Sequence, residues 1–349
     1  GDTSAVVRGL GYEAAFEAVI GGPFLRRRCQ TIIREMDELA QRSNAPYDLA
    51  WARMSKGVTA WFLGDWSESW THCTAASALY REHCRGVAWE LAICDAYRLP
   101  ALAYLGDLPQ VAELVPLALR AARERGDLFA ASNLRMGQQS MVLLASDRPI
   151  DAIRETSEGI AAFSTKTYLL PHYHHLFARV QAELYRGHTT EAWRCVEADW
   201  PGLTQARLLL AQFVRVEIRH LRARAALALA ESGSSSTGPS PRELRRAALA
   251  EAAKIERDQV APAKPFAAAI RAGAAAHEDR EAAVRHLERA RAGFRDAGMQ
   301  LYAHATLDRL GALRGGTEGA TMREEAQRWM TTNQIANPRA MIAMLVPGV

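Results

Sequence analysis

Apolar positions along this chain recur at helical spacing almost from end to end. Between Phe24 and Ala40, Leu25, Cys29, Ile32, Ile33, Met36 and Leu39 follow the i, i+3, i+4, i+7 rule. One face is therefore buried, and Arg26, Arg27, Arg28, Arg34, Glu35 and Glu38 lie largely off it. A shorter helical pattern, Tyr12 to Ile20, precedes this one and ends at Gly21-Gly22-Pro23, and Asn44-Ala45-Pro46 ends the longer one. From Gly57 to Tyr80 a small, apolar helix runs into Gly64-Asp65, and a second amphipathic helix follows with Ala75, Ala76 and Ala78. The same turn returns at Gly106-Asp107, Ser146-Asp147 and Gly187-His188, about every forty residues, which is the period of a stack of helical hairpins.

The turns set the expected layout. Residues 47–85 form the first clear hairpin, 88–125 the second and 127–163 the third, with Pro109 and Pro149 at equivalent points in the first turn of a second helix, where a missing N–H is harmless. The fourth spans 169–198, and the fifth starts near Gly202 with a long helix over 208–230. Residues 231–241 are too polar and too rich in Gly, Ser and Pro to pack and read as a flexible loop. Helix resumes with Ser240 as N-cap, Pro241 in the first turn and Glu243 completing an S-x-x-E box. A sixth hairpin covers 263–297. Helices over 299–313 and 322–331 follow, separated by a loop at 315–319, and the apolar tail 337–345 is expected to cap the open end. The expected fold is an all-α, right-handed α-solenoid of about seven tetratricopeptide-like hairpins. Its parts are N-terminal helices joining an upstream region (1–46), repeats (47–230), the loop (231–241), and C-terminal repeats with a capping tail (242–349).

The Gly-Asp turns, with Ala and Tyr or Phe around them, resemble a lengthened tetratricopeptide repeat. More specifically, Gly86-Val87-Ala88-Trp89-Glu90-Leu91, residues 130–137, residues 220–226 and the end Trp329-Met330 to Asn337-Pro338 resemble the C-terminal helical region of large bacterial serine/threonine kinases that carry an AAA- or STAND-type ATPase module. The resemblance implies a regulatory, partner-sensing segment of a bacterial signalling protein, with the kinase and ATPase domains of the same polypeptide as partners. No kinase motif and no G-x-x-x-x-G-K-[ST] occurs in the chain, so no catalytic residue and no cofactor is assigned, and this stretch is read as non-enzymatic.

Composition narrows the setting. The 349 residues are 49% hydrophobic and 23% charged, enough to bury a core, and the net charge of +4 falls short of a nucleic-acid binder's basic stripe. No apolar run is long enough to span a membrane, so neither nucleic acid nor membrane is expected as partner. Cys29, Cys73, Cys84, Cys94 and Cys195 form an odd set without a CxxC pair and read as reduced thiols of a cytoplasmic protein. The first residue is Gly, from which an excised region of a longer polypeptide is expected.

Metal chemistry has two candidate sets. His172 and His175 stand at i, i+3 without a visible third ligand. His72-Cys73 and His83-Cys84 are three helical turns apart, about 16 Å, too far for one ion. No metal site is assigned. A better signal comes from aligning the first helices on their turns. Lys56, Arg98, Gln138 and Arg179 then form one column, and Arg53, Asp95, Arg135 and Leu176 form another three residues back. In a solenoid these helices line the concave face, so Arg53, Lys56, Asp95, Arg98, Arg135, Gln138 and Arg179 are expected to make a ladder suited to an acidic or extended peptide. A solvated surface, or internal pairs such as Arg98 with Asp95, would give the same column. Two other readings stay open. One is a small-effector groove near Trp89, His172 and Tyr173 that controls an attached kinase or ATPase, which a deep apolar pocket would favour. The other is a self-assembly scaffold that depends on residues 320–349.

Overall fold

The structure, a computed structural model, describes residues 2–163, 166–233 and 238–349. Those residues form eighteen α-helices, two short 3-10 turns and no strand. In chain order the helices are α1 (Thr3–Ile20), α2 (Pro23–Ser43), α3 (Pro46–Leu63), α4 (Trp66–His83), α5 (Ala88–Leu105), α6 (Leu108–Glu124), α7 (Leu128–Asn133), α8 (Met141–Ala145) and α9 (Pro149–Ile160). They continue with α10 (Leu170–Tyr185), α11 (Thr189–Gln205), α12 (Gln212–Ser232), α13 (Pro241–Ile255), α14 (Ala263–Ala275), α15 (Arg280–Asp296), α16 (Gln300–Arg314), α17 (Gly316–Thr332) and α18 (Pro338–Leu345). Neighbours in sequence pack as pairs, α1 on α2, α3 on α4, and so on to α16 on α17, as in a helical solenoid.

Local chemistry explains most boundaries. Gly64 ends α3 and Gly106 ends α5, each in the left-handed region that a side chain would disfavour. Pro23, Pro46, Pro109, Pro149 and Pro241 sit in first turns. The Ser240–Glu243 capping box forms as the sequence predicts. Of the expected loop at 231–241, residues 234–237 lie outside the described residues.

Several elements differ from the sequence reading. The first helix of the 127–163 hairpin is broken: α7 ends at Asn133, Met136 is extended, Gly137 is left-handed and a 3-10 turn, Gly137–Ser140, leads into α8. The long helix expected from Leu208 starts at Gln212, after a 3-10 turn over Leu208–Leu210. The loop at 315–319 is almost absent, because α17 begins at Gly316. Gly319 packs against Gly311 so closely that a Cβ on it would lie 2.3 Å from the Gly311 carbonyl oxygen. That glycine lets α16 and α17 touch backbone to backbone and does not break the helix. The tail helix α18 packs against α10, α12 and α16, so it fills the interior of the stack where an end cap was expected.

Contacts between distant pairs decide the shape. The Gln212 side chain, at the start of α12, donates to the Ala18 carbonyl at the end of α1, 2.9 Å away. Ala261, just before α14, donates its N–H to Leu63 at the end of α3 (3.2 Å). Gly106, after α5, lies against Leu301 in α16, and Ala336, before α18, donates to Ala145 at the end of α8 (2.8 Å). In each case a turn meets the chain five pairs further along, so the stack coils back onto itself with a constant offset. The interior this encloses is mostly filled. Helix α12 is buried on nearly every side, and the main core runs from Trp61 to Val346.

Candidate ligand cavity

One part of the interior is left open. A cavity of about 550 Å³ lies between α3, α5, α6, α7, the 3-10 turn Gly137–Ser140, α10 and α12. The break after α7 contributes to it directly: the left-handed Gly137 turns the chain so that Gln138 and Gln139 line the space where a continuous helix would put a regular face. At its mouth stand residues from the starts of three first helices, Trp89 of α5, Phe129 of α7 and Leu170 of α10. All three are exposed, Trp89 at 50%. Deeper in are Trp61, Tyr97, Tyr173 and Phe213. Trp61 packs edge-on to Phe213 at 5.1 Å and tilted on Trp66 at 4.9 Å, so the floor is rigid aromatic packing. The lining is largely apolar with a few polar groups, the usual make-up of a small-molecule site.

The polar groups are few and poorly satisfied. Glu217, on the cavity side of α12, is 6% exposed and makes no hydrogen bond. Burial raises its carboxyl well above the ordinary range, and the charge of Arg224 opposes this only in part. Gln138 is 4% exposed with neither amide atom partnered, and the buried Tyr173 hydroxyl has no partner either. Buried polar atoms normally find partners, so the Gln138 amide and the Tyr173 hydroxyl, with the Glu217 carboxyl also on the lining, give the cavity hydrogen-bonding groups that the fold itself leaves unused. His174 pairs through Nδ1 with Asn133 Oδ1 at 3.3 Å, and burial pushes its pKa down to about 4, leaving a neutral imidazole at the wall. Arg224 is held away from the cavity by the Met344 carbonyl (3.1 Å) and Gln181 (3.3 Å).

The ladder residues lie elsewhere or serve the fold. Lys56 pairs with Asp37 on α2. Arg98 pairs with Asp95 one turn away at 2.7 Å and lies over the Trp70 ring. Arg135 holds Glu155 (2.7 Å) and Glu158 on α9, and Arg179 holds Glu191 on α11 at 3.0 Å. Arg53 is exposed beside His72, and Leu176 is core. Most of the column's charges thus meet carboxylates of this chain, and only Asp95 and Gln138 of the seven line the cavity. Of the groove residues, Trp89 and Tyr173 line it and His172 does not; His174 takes that place. Phe213 and Glu217 were missed. The sequence carried no signal for them, since Glu217 stands between Arg215 and Arg219 and reads as one more surface charge.

Neither metal candidate converges. His172 Nδ1 accepts from the Leu169 N–H at 3.1 Å, while His175 Nδ1 lies 3.2 Å from both the Thr156 hydroxyl and carbonyl oxygens. Among the described residues no three His, Cys, Asp or Glu side chains are placed to hold an ion. All five thiols are free, and burial raises Cys73 to about 12. No described helix is long and apolar enough to cross a membrane. No family model matches the chain, and no curated protein matches it. The likeness to kinase repeat regions therefore rests on the packing motifs alone.

Proposed function

We propose that this chain is a non-catalytic small-ligand sensor, a right-handed tetratricopeptide-type stack that binds an effector in its interior. The observation that carries this reading is the 550 Å³ aromatic cavity lined by Glu217 and by Gln138 and Tyr173, whose buried polar atoms have no hydrogen-bond partner. Its walls come from α3, α5, α7, α10 and α12, members of five successive pairs, so a ligand touching all of them ties those pairs to one curvature. The energy available for signalling is the difference in affinity between two curvatures of the stack. The likeness to kinase regulatory regions would make an attached kinase or ATPase module the output. The peptide-binding reading loses its main support, because Lys56, Arg98, Arg135 and Arg179 already have carboxylates.

The test is a thermal-shift screen of metabolites against the wild-type chain and Ala96→Phe, which fills the cavity from α5. A ligand at a hundred times its Kd stabilises by about 2.7 kcal/mol. Compounds that raise the wild-type melting temperature and leave the filled variant unmoved support the reading. A metabolite panel that shifts both proteins equally, or neither, refutes it.

A further inference from the structure

We propose that the ligand of this cavity is an organic cation, an ammonium on an aryl or alkyl body, with Glu217 taking the charge at the cavity floor. This rests on the sensor reading above and goes beyond it in naming the ligand class. The argument starts from the charges. Three carboxylates line the space, Glu217, Asp95 and Asp127; Asp95 is already held by Arg98, and Asp127 accepts the Ala130 N–H as the cap of α7. The cations nearby are engaged or outside: Arg98 is in that pair, Arg224 is bonded to Met344 and Gln181, and Arg125 stands exposed at the mouth. An anion would therefore meet a carboxylate and no free cationic donor at the floor, whereas an ammonium would meet the one acidic group without a hydrogen bond.

The walls favour the same choice. Trp61, Tyr97, Tyr173 and Phe213 surround the space, and ring faces attract cations most strongly where water is excluded. Glu217 and Gln138 supply acceptor oxygens for N–H groups. In the empty cavity burial raises the Glu217 carboxyl well above the ordinary range, against the opposing charge of Arg224, and so favours its neutral form. The groups around it are Asp95 and Tyr97 of α5, Tyr173 and His174 of α10, His220 and Arg224 of its own helix, and Tyr302 of α16. His174 and His220 are held neutral by burial, so neither competes as the counter-charge. Capture of an ammonium then drives the Glu217 proton into solution, one positive charge leaving as one enters, so the buried carboxylate forms only together with its partner.

The experiment is titration calorimetry on the full chain with three probes of one shape: 4-phenylbutylamine, 4-phenylbutanol and 4-phenylbutyrate. The amine is expected to bind on the order of tenfold tighter than the alcohol, the size of a desolvated cation contact, with the carboxylate weakest. Glu217→Gln should reduce the amine to the alcohol's affinity and leave the alcohol unchanged, which also shows that the variant's cavity is intact. Titrations in Tris and in phosphate near pH 7 should report proton release on amine binding in the wild type and none in Glu217→Gln. An alcohol that binds as well as the amine, or an amine indifferent to Glu217→Gln, overturns the cation assignment while leaving the cavity a ligand site. Failure of all three probes also overturns it. The sensor reading is then judged separately by whether neutral or anionic metabolites pass the Ala96→Phe comparison.

Discussion

Replacing Gly64 by alanine tests whether the stack is held closed by contacts between its coils. Gly64 has φ +80, and a Cβ there would lie 2.6 Å from Pro262 Cδ and 3.0 Å from the Ala261 nitrogen, five pairs along the chain. Left-handed alanine costs about 1–2 kcal/mol, and overpacking against a proline ring and backbone that cannot swing aside adds about 1–3. Relief by separation would also weaken the Ala261 N–H bond to the Leu63 carbonyl, worth about 1 kcal/mol. Gly187 supplies the control: it stands at the equivalent turn with φ +75 and nothing within 4 Å, so its alanine carries only the backbone cost. Gly64→Ala should therefore lose about 2 kcal/mol more than Gly187→Ala, a urea midpoint lower by roughly half a molar for a chain of this size when followed by circular dichroism. Hydrogen exchange should place the added opening at Ala261. Midpoints are the quantity to compare, since long repeat arrays need not unfold in two states. Equal midpoints for the two variants would refute the closed coil.

Other outcomes follow from buried polar groups. Glu217→Gln should stabilise the empty protein increasingly as pH rises: a carboxyl raised by burial contributes fully below its unfolded value, and that contribution is lost as pH climbs toward the folded one. Denaturation at pH 5 and 8 should show the larger gain at pH 8. His174 has the opposite sign. Its pKa of about 4 means stability is lost as pH falls from the ordinary histidine value toward 4, by at most about 3 kcal/mol, and His174→Gln should flatten that limb of the curve. Gln138→Leu should raise stability by about 1 kcal/mol or more, because neither of its buried amide atoms has a partner to lose. Arg135→Glu should destabilise measurably by thermal melting, since it sets like charge against Glu155 and Glu158. An unchanged melting temperature would show the residue to be a free docking arginine.

The helices, most of their ends and their pairing were legible in the sequence because these depend on neighbours three or four residues away. The Gly-Asp turns, the in-register prolines and the Ser240 box each act within one turn of backbone. Gly319 and Gly137 show where that reasoning stops. One read as a loop and is a close contact between α16 and α17; the other sat in an expected helix and breaks it. Glycine marks both uses identically, and only the neighbour across the gap distinguishes them. The charged column failed similarly: spacing put Arg98, Arg135 and Arg179 in one register, but whether carboxylates on second helices would meet them depended on packing.

By itself, then, the sequence determined an all-helical chain of successive pairs, since apolar spacing and turn chemistry are local. The tertiary structure alone decided that the stack closes on itself at a five-pair offset and that α12 and α18 fill its interior. It also decided that Glu217, Gln138 and Tyr173 come to face one cavity. Those residues lie on different helices far apart in the chain, and no periodicity records which distant faces a superhelical coil will bring together.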